Sequence, residues 1–397
     1  MKKVILLFVS TCFISSSVLA NDKALWTIKE PVTPVQKELR SIKFTDSSNG
    51  WAVGAGGTIL RSIDGGKTWN SQMSLSQENL ESVHFVDNER GWVVGENGTI
   101  LQTINGGAEW NAQASGVTQK LKTVYFTNPD NGWAGGENGT VLHTTNGGES
   151  WQVQTTNLVA SIEDIQFNDN NKGWLVADNG VIMGTDNGGT FWDAQLNYGK
   201  ALHDIFFIDA NTGWAVGAGA TILRTDNGGL NWKLQLTGTG TFYSIYFINK
   251  SEGWVAGAGG KMFHTNTGGW FDDWKVEETG TDVSLSDVYF SSDKIGWAVG
   301  DNGTIIEYQP STVSVPQIAA NDISVYPNPT QGQLSVSTIN IIQSVEVYNQ
   351  VGQLVKTIPL TYRDTKAAFN LELSTGLYFV KVTDDTGAEY TERISVQ

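Results

Sequence analysis

Cysteine is almost absent from this sequence, and its absence excludes several kinds of chemistry. The chain has a single cysteine, Cys12, which lies in an N-terminal apolar run. If that run is removed on export, the remaining chain has no disulfide, no cysteine nucleophile and no cysteine-based zinc site. We expect no metal and no other cofactor, because no loop has calcium-binding spacing. The histidines also stand far apart in the chain: His84, His143, His203 and His264.

Basic residues are scarce as well. The chain has 25 Lys and Arg against 41 Asp and Glu, for a formal net charge of −16. A protein that binds nucleic acid needs a basic surface to neutralise phosphates. We therefore expect no nucleic-acid partner, and anionic membrane surfaces are disfavoured for the same reason.

Long hydrophobic runs are limited to the N-terminus. Residues 1–20 begin with Lys2 and Lys3, continue with an apolar stretch and end in Ala20, which is the pattern of a signal peptide. The alternative is a membrane anchor, but Ser10 and Thr11 interrupt the apolar stretch. The sequence therefore predicts export, and no membrane span once the signal peptide is removed.

Glycine and tryptophan are abundant, and the tryptophans are periodic. The chain has 45 Gly and 15 Trp. A Gly-Trp pair recurs seven times at intervals of 40 to 43 residues, and such a period is typical of a repeat architecture. The pairs are Gly50-Trp51, Gly91-Trp92, Gly132-Trp133, Gly173-Trp174, Gly213-Trp214, Gly253-Trp254 and Gly296-Trp297.

Each repeat contains four short apolar segments separated by polar, glycine-containing turns. Four antiparallel strands in about 40 residues are typical of a propeller blade. The sequence therefore predicts an all-β protein with a seven-bladed β-propeller over residues 21–309. Four of the turns between the second and third strands read Asn-Gly, the pair that best tolerates the positive φ angles of a tight hairpin. They are Asn97-Gly98, Asn138-Gly139, Asn179-Gly180 and Asn302-Gly303.

The seventh repeat lacks its fourth strand. The segment around Trp26, near the N-terminus, resembles the openings of the other fourth strands, such as the one that contains Trp232. We predict that this N-terminal strand completes the seventh blade and closes the ring, which leaves no exposed sheet edge between the first and last blades.

The third turn of the repeat resembles the Asp-box of the BNR repeat family. Its first copy, Ser62–Trp69, reads SIDGGKTW, four later copies have Asn in place of Asp, and the sixth copy is degenerate. We expect a structural role, in which the Asx side chain caps backbone N–H groups, two glycines permit the turn and the Trp packs between blades. The Asx positions are Asp64, Asn105, Asn146, Asn187 and Asn227.

The C-terminal part of the chain has a different character. Residues 310–320 have the composition of a linker. Residues 321–397 contain YPNPTxGxL at 326–334, VYNxxGQLV at 347–355 and LSTGLYFVKV at 373–382, and resemble the type A sorting domain of the type IX secretion system of Bacteroidetes-type bacteria. The resemblance implies a small Ig-like β-sandwich that engages the type IX machinery and directs the protein to the outer-membrane surface or the extracellular space. The alternative is an ordinary Ig-like binding module.

The repeats themselves, GWxVGxxGTIL followed by an Asp-box, resemble the photosystem II stability/assembly factor family of BNR-like propellers over residues 24–308. The resemblance implies a non-catalytic, protein-binding platform that uses a basic patch. This propeller departs from that pattern, because it is acidic and holds only four arginines, and a photosynthetic role is not expected beside a type IX sorting tail. The arginines are Arg40, Arg61, Arg90 and Arg224.

Residues that differ between repeats at equivalent positions are the candidates for a ligand site. The first strands should begin at the channel mouth, with one ring at positions 40, 81, 122, 163, 203, 243 and 286 and a second at positions 41, 82, 123, 164, 204, 244 and 287. The turns between second and third strands add Glu96, Glu137, Asp178 and Asp301. The alternative is a solvated rim of polar turn residues. We predict ligand contacts for Arg40, Glu81, Lys122, Glu163, Asp164, His203, Asp204, Tyr243 and Asp287.

Three functions fit these features. We favour an exported, non-catalytic propeller that binds a protein or glycan partner, with no catalytic residue. The second is a glycoside hydrolase or lyase acting on extracellular polysaccharide, since Asp-box propellers include sialidases and xyloglucanases. A sialidase would need an arginine cluster, and a xyloglucanase normally needs a second propeller. A hydrolase here would rely on Asp164 and Asp204, about 5–10 Å apart across a groove. The third is a purely structural or stress-related factor.

Overall fold

The chain forms two compact units, residues 1–311 and residues 312–397. The structure, a computed structural model, describes residues 26–28, 35–270, 273–292, 294–308, 323–338, 340–360, 364–385 and 389–397. The predicted signal peptide and the predicted linker lie outside these residues. In the described part of the chain, no helix has the length and apolar character needed to cross a membrane.

The first unit contains seven antiparallel sheets of four strands, which we number as blades 1 to 7 and whose strands we name A to D from the inside outward. Each A strand contacts the A strands of both neighbouring blades, and the A strand of blade 7 contacts that of blade 1. The seven sheets therefore form a closed propeller around a central channel. The A strands are Leu39–Phe44, Leu80–Phe85, Leu121–Phe126, Ile162–Phe167, Leu202–Phe207, Phe242–Phe247 and Leu285–Ser292.

The B and C strands form the buried middle of each blade, because both faces of a blade pack against neighbouring blades. The B strands are Gly50–Gly54, Gly91–Gly95, Gly132–Gly136, Gly173–Ala177, Gly213–Gly217, Gly253–Gly257 and Ile295–Gly300. The C strands are Thr58–Ser62, Ile100–Thr103, Val141–Thr144, Val181–Thr185, Thr221–Thr225, Met262–Thr265 and Ile305–Tyr308. Short 3-10 turns join B to C at Glu96–Gly98, Glu137–Gly139, Ala258–Gly260 and Asp301–Gly303.

The D strands are short and form the outer edges. Those of blades 1 to 6 are Asn70–Gln72, Asn111–Gln113, Gln152–Gln154, Asp193–Asn197, Lys233–Leu236 and Lys275–Glu277, and that of blade 7 is Trp26–Ile28.

The Gly-Trp pair holds neighbouring blades together. Trp92 of blade 2 stacks on Phe126 of blade 3, with ring centroids 3.5 Å apart and planes 9° apart. A Cβ atom on Gly132 would lie 2.4 Å from the Phe126 ring, so only glycine leaves room for that ring. The same stack occurs at all seven blade junctions. The last one, Trp297 on Phe44 at 3.5 Å, joins blade 7 to blade 1.

The N-terminal strand lies in blade 7, an arrangement consistent with the predicted closure. Trp26 pairs antiparallel with Tyr308. Its indole packs edge-on against Phe290, with ring centroids 5.8 Å apart. Trp110 of the second Asp-box packs in the same way against Phe85 of its blade, at 5.9 Å. Trp26 therefore occupies the position that an Asp-box tryptophan holds in other blades. Its Nε1 also donates a hydrogen bond to Glu277 Oε2 of blade 6 at 2.8 Å.

The Asp-box turns have the hydrogen bonds expected of a structural motif. Each Asx side chain accepts the N–H of the residue four positions later, at 2.9–3.0 Å, as Asp64 does from Thr68. In the second to sixth copies the carbonyl of the first box glycine accepts the indole N–H of the preceding blade, as Gly147 does from Trp92 at 2.9 Å. In the degenerate sixth copy Thr265 still accepts the N–H of Gly269 at 2.8 Å. The boxes therefore join blades as well as closing turns.

The Asn-Gly turns match their prediction in three places out of four. Asn97, Asn138 and Asn302 have positive φ angles, followed by glycines that do too. Asn179 does not, so the prediction is wrong there. The N–H of Gly180 bonds to the Ala177 carbonyl at 2.9 Å, and the chain reverses through Gly180 alone, at φ 83°.

The second unit has seven strands in two sheets that enclose one apolar core, a β-sandwich. Val345, Val347, Val380 and Val382 are fully buried between the sheets. One sheet contains Ile323–Tyr326, Gln333–Thr338 and Lys366–Asn370, and the other, in spatial order, Leu354–Ile358, Ile342–Asn349, Gly376–Asp384 and Glu389–Val396.

We expect Trp26→Ala to destabilise the propeller by about 3–5 kcal/mol, because it removes a buried indole and the hydrogen bond to Glu277. Urea unfolding of the exported chain, residues 21–397 without the predicted signal peptide, measures the effect. The matched control is Ile28→Ala in the same strand, whose side chain is 43% exposed and should cost much less. Equal losses for the two variants would contradict a role of the N-terminal strand in ring closure.

Candidate functional site

The A strands all begin at the same end of the channel, and a cavity of about 450 Å³ opens there. All nine predicted ligand residues line it. Of the acids in the B–C turns, Asp301 lines it, whereas Glu96, Glu137 and Asp178 do not. The structure thus brings together positions that are about 40 residues apart in sequence. The other lining residues are Glu38, Ser41, Ser82, Lys120, Thr123, Ser244, Ser284 and Ser286.

A β-bulge at the start of every A strand shapes this cavity. In blade 2 the pairing with the B strand shifts between Leu80 and Ser82, and an equivalent shift occurs in the other six blades. A bulge lets two successive residues face the same side of a strand. Both Glu81 and Ser82 therefore line the cavity.

On the side of blades 1 to 3, the charges at the mouth form ion pairs. Arg40 bonds to Glu81 and, at 2.8 Å, to Glu38. Lys120 lies 2.8 Å from the same Glu81 carboxylate and 3.8 Å from Glu96. Because both cations are satisfied by partly buried carboxylates, this side presents little free charge to a ligand.

A second charged group joins blades 3, 4 and 5. Lys122 Nζ lies 2.5 Å from Glu163 Oε1, and His203 Nδ1 lies 3.9 Å from the other carboxylate oxygen. Burial works to raise the pKa of Glu163, but hydrogen bonds from His203 and Lys122 outweigh it and the pKa is lowered. Glu163 is therefore ionised at neutral pH and holds both neighbours in place. The His203 ring also packs against Tyr243, with centroids 5.8 Å apart.

The second ring of residues fastens one blade to the next. At six of the seven junctions its side chain accepts a backbone N–H from the A strand of the following blade, as Asp204 does from Ile245 at 2.7 Å. Asp287 joins blade 7 to blade 1 by accepting the N–H of Ile42 at 2.8 Å. These side chains therefore have a structural role in addition to lining the cavity, a role that the sequence did not predict.

The three acids of this ring have raised pKa values. Each retains some contact with the cavity, yet the surrounding protein desolvates its carboxyl. Burial raises the pKa of Asp164, and burial followed by the charge of Asp164 raises that of Asp204 well above its usual value. Their carboxyls hydrogen-bond to each other and so share a proton. Burial also raises the pKa of Asp287, to about 6.

The same hydrogen bond excludes the arrangement that a hydrolase would need from this pair. Glycosidase carboxyls face each other across a gap of about 5–10 Å that admits the sugar or a water. Asp164 and Asp204 are in direct contact, and each also accepts a backbone N–H, from Ile205 and Ile245 respectively. The hydrogen bond between these two carboxyls does not fit the separation across a groove on which the hydrolase alternative depends.

A third ring of side chains, which the sequence did not predict, lies on the A strands beyond the second ring. Phe206 packs against Tyr246 at 5.1 Å, and Tyr246 against Tyr289 at 4.9 Å. None of the ring residues lines the cavity, which therefore ends above them. These positions also vary between repeats, and that variability could have marked them. The ring consists of Lys43, His84, Tyr125, Gln166, Phe206, Tyr246 and Tyr289.

Two family profiles match the chain. One, described as Photosynthesis system II assembly factor YCF48, matches residues 20–112, 71–158 and 193–275. The other, described as Secretion system C-terminal sorting domain, matches residues 324–397. No curated protein shows significant similarity to the chain.

Several solved structures share the propeller fold. YCF48 bound to D1 peptide is 22% identical, with a TM-score of 0.62 over 73% of this chain and 96% of that one. YCF48 from Cyanidioschyzon merolae is 20% identical, with a TM-score of 0.61 over 72% and 99%. The WD40 propeller domain of Doa1 is 13% identical, with a TM-score of 0.59 over 72% and 98%. At these identities the similarity shows the fold.

The shared proton predicts a pH-dependent effect of Asp204→Asn. The amide can donate to Asp164 and accept from Ile245, as the protonated carboxyl does, so near pH 4 we expect little change in stability. As the pH rises, Asp204 of the unfolded chain loses its proton near its ordinary pKa of about 3.9, whereas Asp204 of the folded chain retains it. The free energy of unfolding of the unmutated chain therefore falls, and that of the variant does not. The difference should grow in favour of the variant up to neutral pH.

Urea unfolding of both chains over this pH range measures that difference. Asp282→Asn, which removes a charge from an exposed position, is the control. A difference for Asp204→Asn that is constant with pH, or that favours the native chain more as the pH rises, would contradict the shared proton.

Proposed function

The chain belongs to the photosystem II assembly factor YCF48 family, and we propose that its propeller is a non-catalytic module that binds a protein or glycan partner outside the cell. The sorting domain that follows implies secretion to the cell surface or the extracellular space by the type IX route. The partner is therefore a component of that environment rather than of a photosynthetic membrane.

The cavity at the channel mouth is the observation that carries this proposal. Its volume, about 450 Å³, lies in the range of about 300–1,000 Å³ that is typical of ligand sites. It is lined by the residues in which the repeats differ, whereas the Gly-Trp pairs and Asp-boxes, in which they agree, hold the ring together. A surface that breaks the repeat in one place provides a unique site on a symmetric scaffold.

The contacts of the lining residues favour binding over catalysis. Glu81 and Glu163 are held in ion pairs, and Asp164, Asp204 and Asp287 accept backbone N–H groups from neighbouring blades. A general acid or base must be free to exchange a proton with the substrate in a suitable geometry. These five carboxyls are already engaged within the protein.

A relative supports a protein as one class of partner. One solved propeller of similar fold is described as YCF48 bound to D1 peptide. This precedent for peptide binding on the fold supports a peptide segment as the ligand of the present propeller.

We expect Tyr243→Ala to reduce partner binding by about fivefold or more, because it removes an aromatic ring from the cavity wall. The exported chain would be tested against extracellular proteins of the producing cell and against a glycan array. The control is Phe191→Ala, which removes an aromatic ring that is 59% exposed on an Asp-box turn. Partner binding that survives Tyr243→Ala but is lost in Phe191→Ala would place the site elsewhere.

We also expect no hydrolysis when the exported chain is incubated with a broad panel of polysaccharides. Chromatography of the products over long incubation would detect slow turnover. Turnover that disappears in Asp164→Ala or Asp204→Ala, with the variants still folded, would overturn the non-catalytic proposal in favour of a glycoside hydrolase or lyase.

A further inference from the structure

A second cavity, of about 540 Å³, lies between blades 1 and 2. It is lined by the connection from the D strand of blade 1 to the A strand of blade 2, and by the D strand of blade 2 with the turns beside it. It shares no lining residue with the mouth cavity. Among the described residues that line it none is charged, although the chain carries 41 acidic and 25 basic residues. A charged ligand would find no partner ion here, so the lining favours an apolar group.

A small side chain in the D strand of blade 2 gives this cavity its room. Ala112 lines the cavity and pairs with Leu101 of the C strand. The residues with the same pairing in blades 3, 5 and 6 are Val153, Leu234 and Val276. Blade 2 therefore leaves space where these three blades hold a larger apolar side chain.

Leu75, on the blade 1 side of the cavity, has a backbone conformation that leucine rarely adopts. Its φ angle is 59°, and its side chain is 81% exposed. The corresponding residues of blades 2, 3 and 6, each of which also follows a serine or threonine and has a positive φ angle, are Gly116, Asn157 and Gly280. Glycine and asparagine tolerate this region, whereas the Cβ atom of leucine is crowded there.

Leu75 therefore lowers the stability of the propeller without gaining burial in return. Strained residues are concentrated at sites where the conformation serves binding or catalysis. A large exposed apolar side chain beside an uncharged cavity is typical of a surface that another molecule covers. A ligand that fills the cavity would bury Leu75 and gain the free energy of removing its side chain from water.

The D strand of blade 2 indicates the kind of ligand. Asn111–Gln113 lies at the outer edge of its sheet, and in the described part of the chain no strand pairs with its far side. An extended peptide can add to such an edge through main-chain hydrogen bonds while a neighbouring pocket takes one of its side chains. A polysaccharide has neither that main chain nor an apolar side chain for the cavity.

We propose that the cavity between blades 1 and 2 binds an apolar side chain carried by an extended segment of a protein partner. Leu75 and Ala112 contact that side chain, and the free edge of Asn111–Gln113 pairs with the backbone of the segment. This surface is separate from the mouth cavity, so the inference adds a second binding site to the proposed function and does not depend on it.

Fluorescence anisotropy with three labelled peptides tests the proposal on the exported chain. The peptides consist of threonine and glutamine and carry leucine, alanine or lysine at one central position. We expect the leucine peptide to bind about tenfold more tightly than the alanine peptide, because it buries more apolar surface. The lysine peptide should bind no more tightly than the alanine peptide. Equal affinities for the leucine and alanine peptides, or no binding of the leucine peptide, would overturn the proposal.

Two substitutions introduce residues that other blades already hold at these positions. Ala112→Leu fills the cavity with the residue type of Leu234 and should weaken the leucine peptide about tenfold. Leu75→Asn introduces the residue type of Asn157, so it should raise the melting temperature by about 1–3 °C and still weaken the leucine peptide about fivefold. A residue with a merely structural role would not give a more stable chain that binds less well.

Val159→Asn is the matched control. It removes an apolar side chain that is 84% exposed and lies outside the cavity, so the affinity for the leucine peptide should not change. Circular dichroism confirms that each variant is folded. Equal losses in Val159→Asn and Leu75→Asn would indicate attraction to exposed apolar surface in general and would overturn the site.

Two further outcomes separate this inference from the proposed function. Loss of the leucine peptide in Tyr243→Ala, with binding retained in Ala112→Leu, would place the peptide in the mouth cavity and overturn the second site alone. Binding of cellohexaose, a neutral oligosaccharide, that Ala112→Leu abolishes, without binding of the leucine peptide, would overturn the choice of a protein. In either case a natural partner that is lost in Tyr243→Ala would leave the proposed function standing.

Discussion

The stacking of each Gly-Trp indole on the phenylalanine of the next blade is the contact on which the rest of the structure depends. The phenylalanine is sandwiched between that indole and the glycine of its own blade, at a distance that admits no Cβ atom. Because one contact sets the spacing between all neighbouring blades, including blades 7 and 1, it also sets the diameter of the channel mouth. The cavity exists because seven equal spacers leave an opening at the centre.

Most of the fold could be predicted from the sequence, since the repeats use the same residues for the same contact. The place of Trp26 follows from the missing fourth strand, and its contact with Phe290 shows the same geometry as an Asp-box tryptophan. The Asn179 turn could not be predicted, because the same Asn-Gly pair closes two different turns. In the Asn179 turn the N–H of Gly180 bonds to the Ala177 carbonyl, a difference that the residue types of the turn do not reveal.

The position of the candidate site could be predicted from the sequence, but the structural roles of its individual residues could not. Variation between repeats identified the lining residues, because scaffold positions are held to one residue type and site positions are not. The pairing of Asp164 with Asp204 and the hydrogen bonds to the next blade depend on the β-bulges, which no single repeat reveals. The third ring was equally hidden from the sequence, since its residues come from seven different blades and meet only when these are assembled around the axis.

The pairing of the N-terminal strand with blade 7 also bears on how the chain acquires its structure. Thr27 and Glu307, bonded across the outer strands of blade 7, are 280 positions apart. Contacts of such long range form slowly, because closing a large loop costs entropy before any packing is gained. A ribosome releases the first of these residues long before the second. The first strand therefore has no partner in blade 7 until nearly the whole propeller has been synthesised.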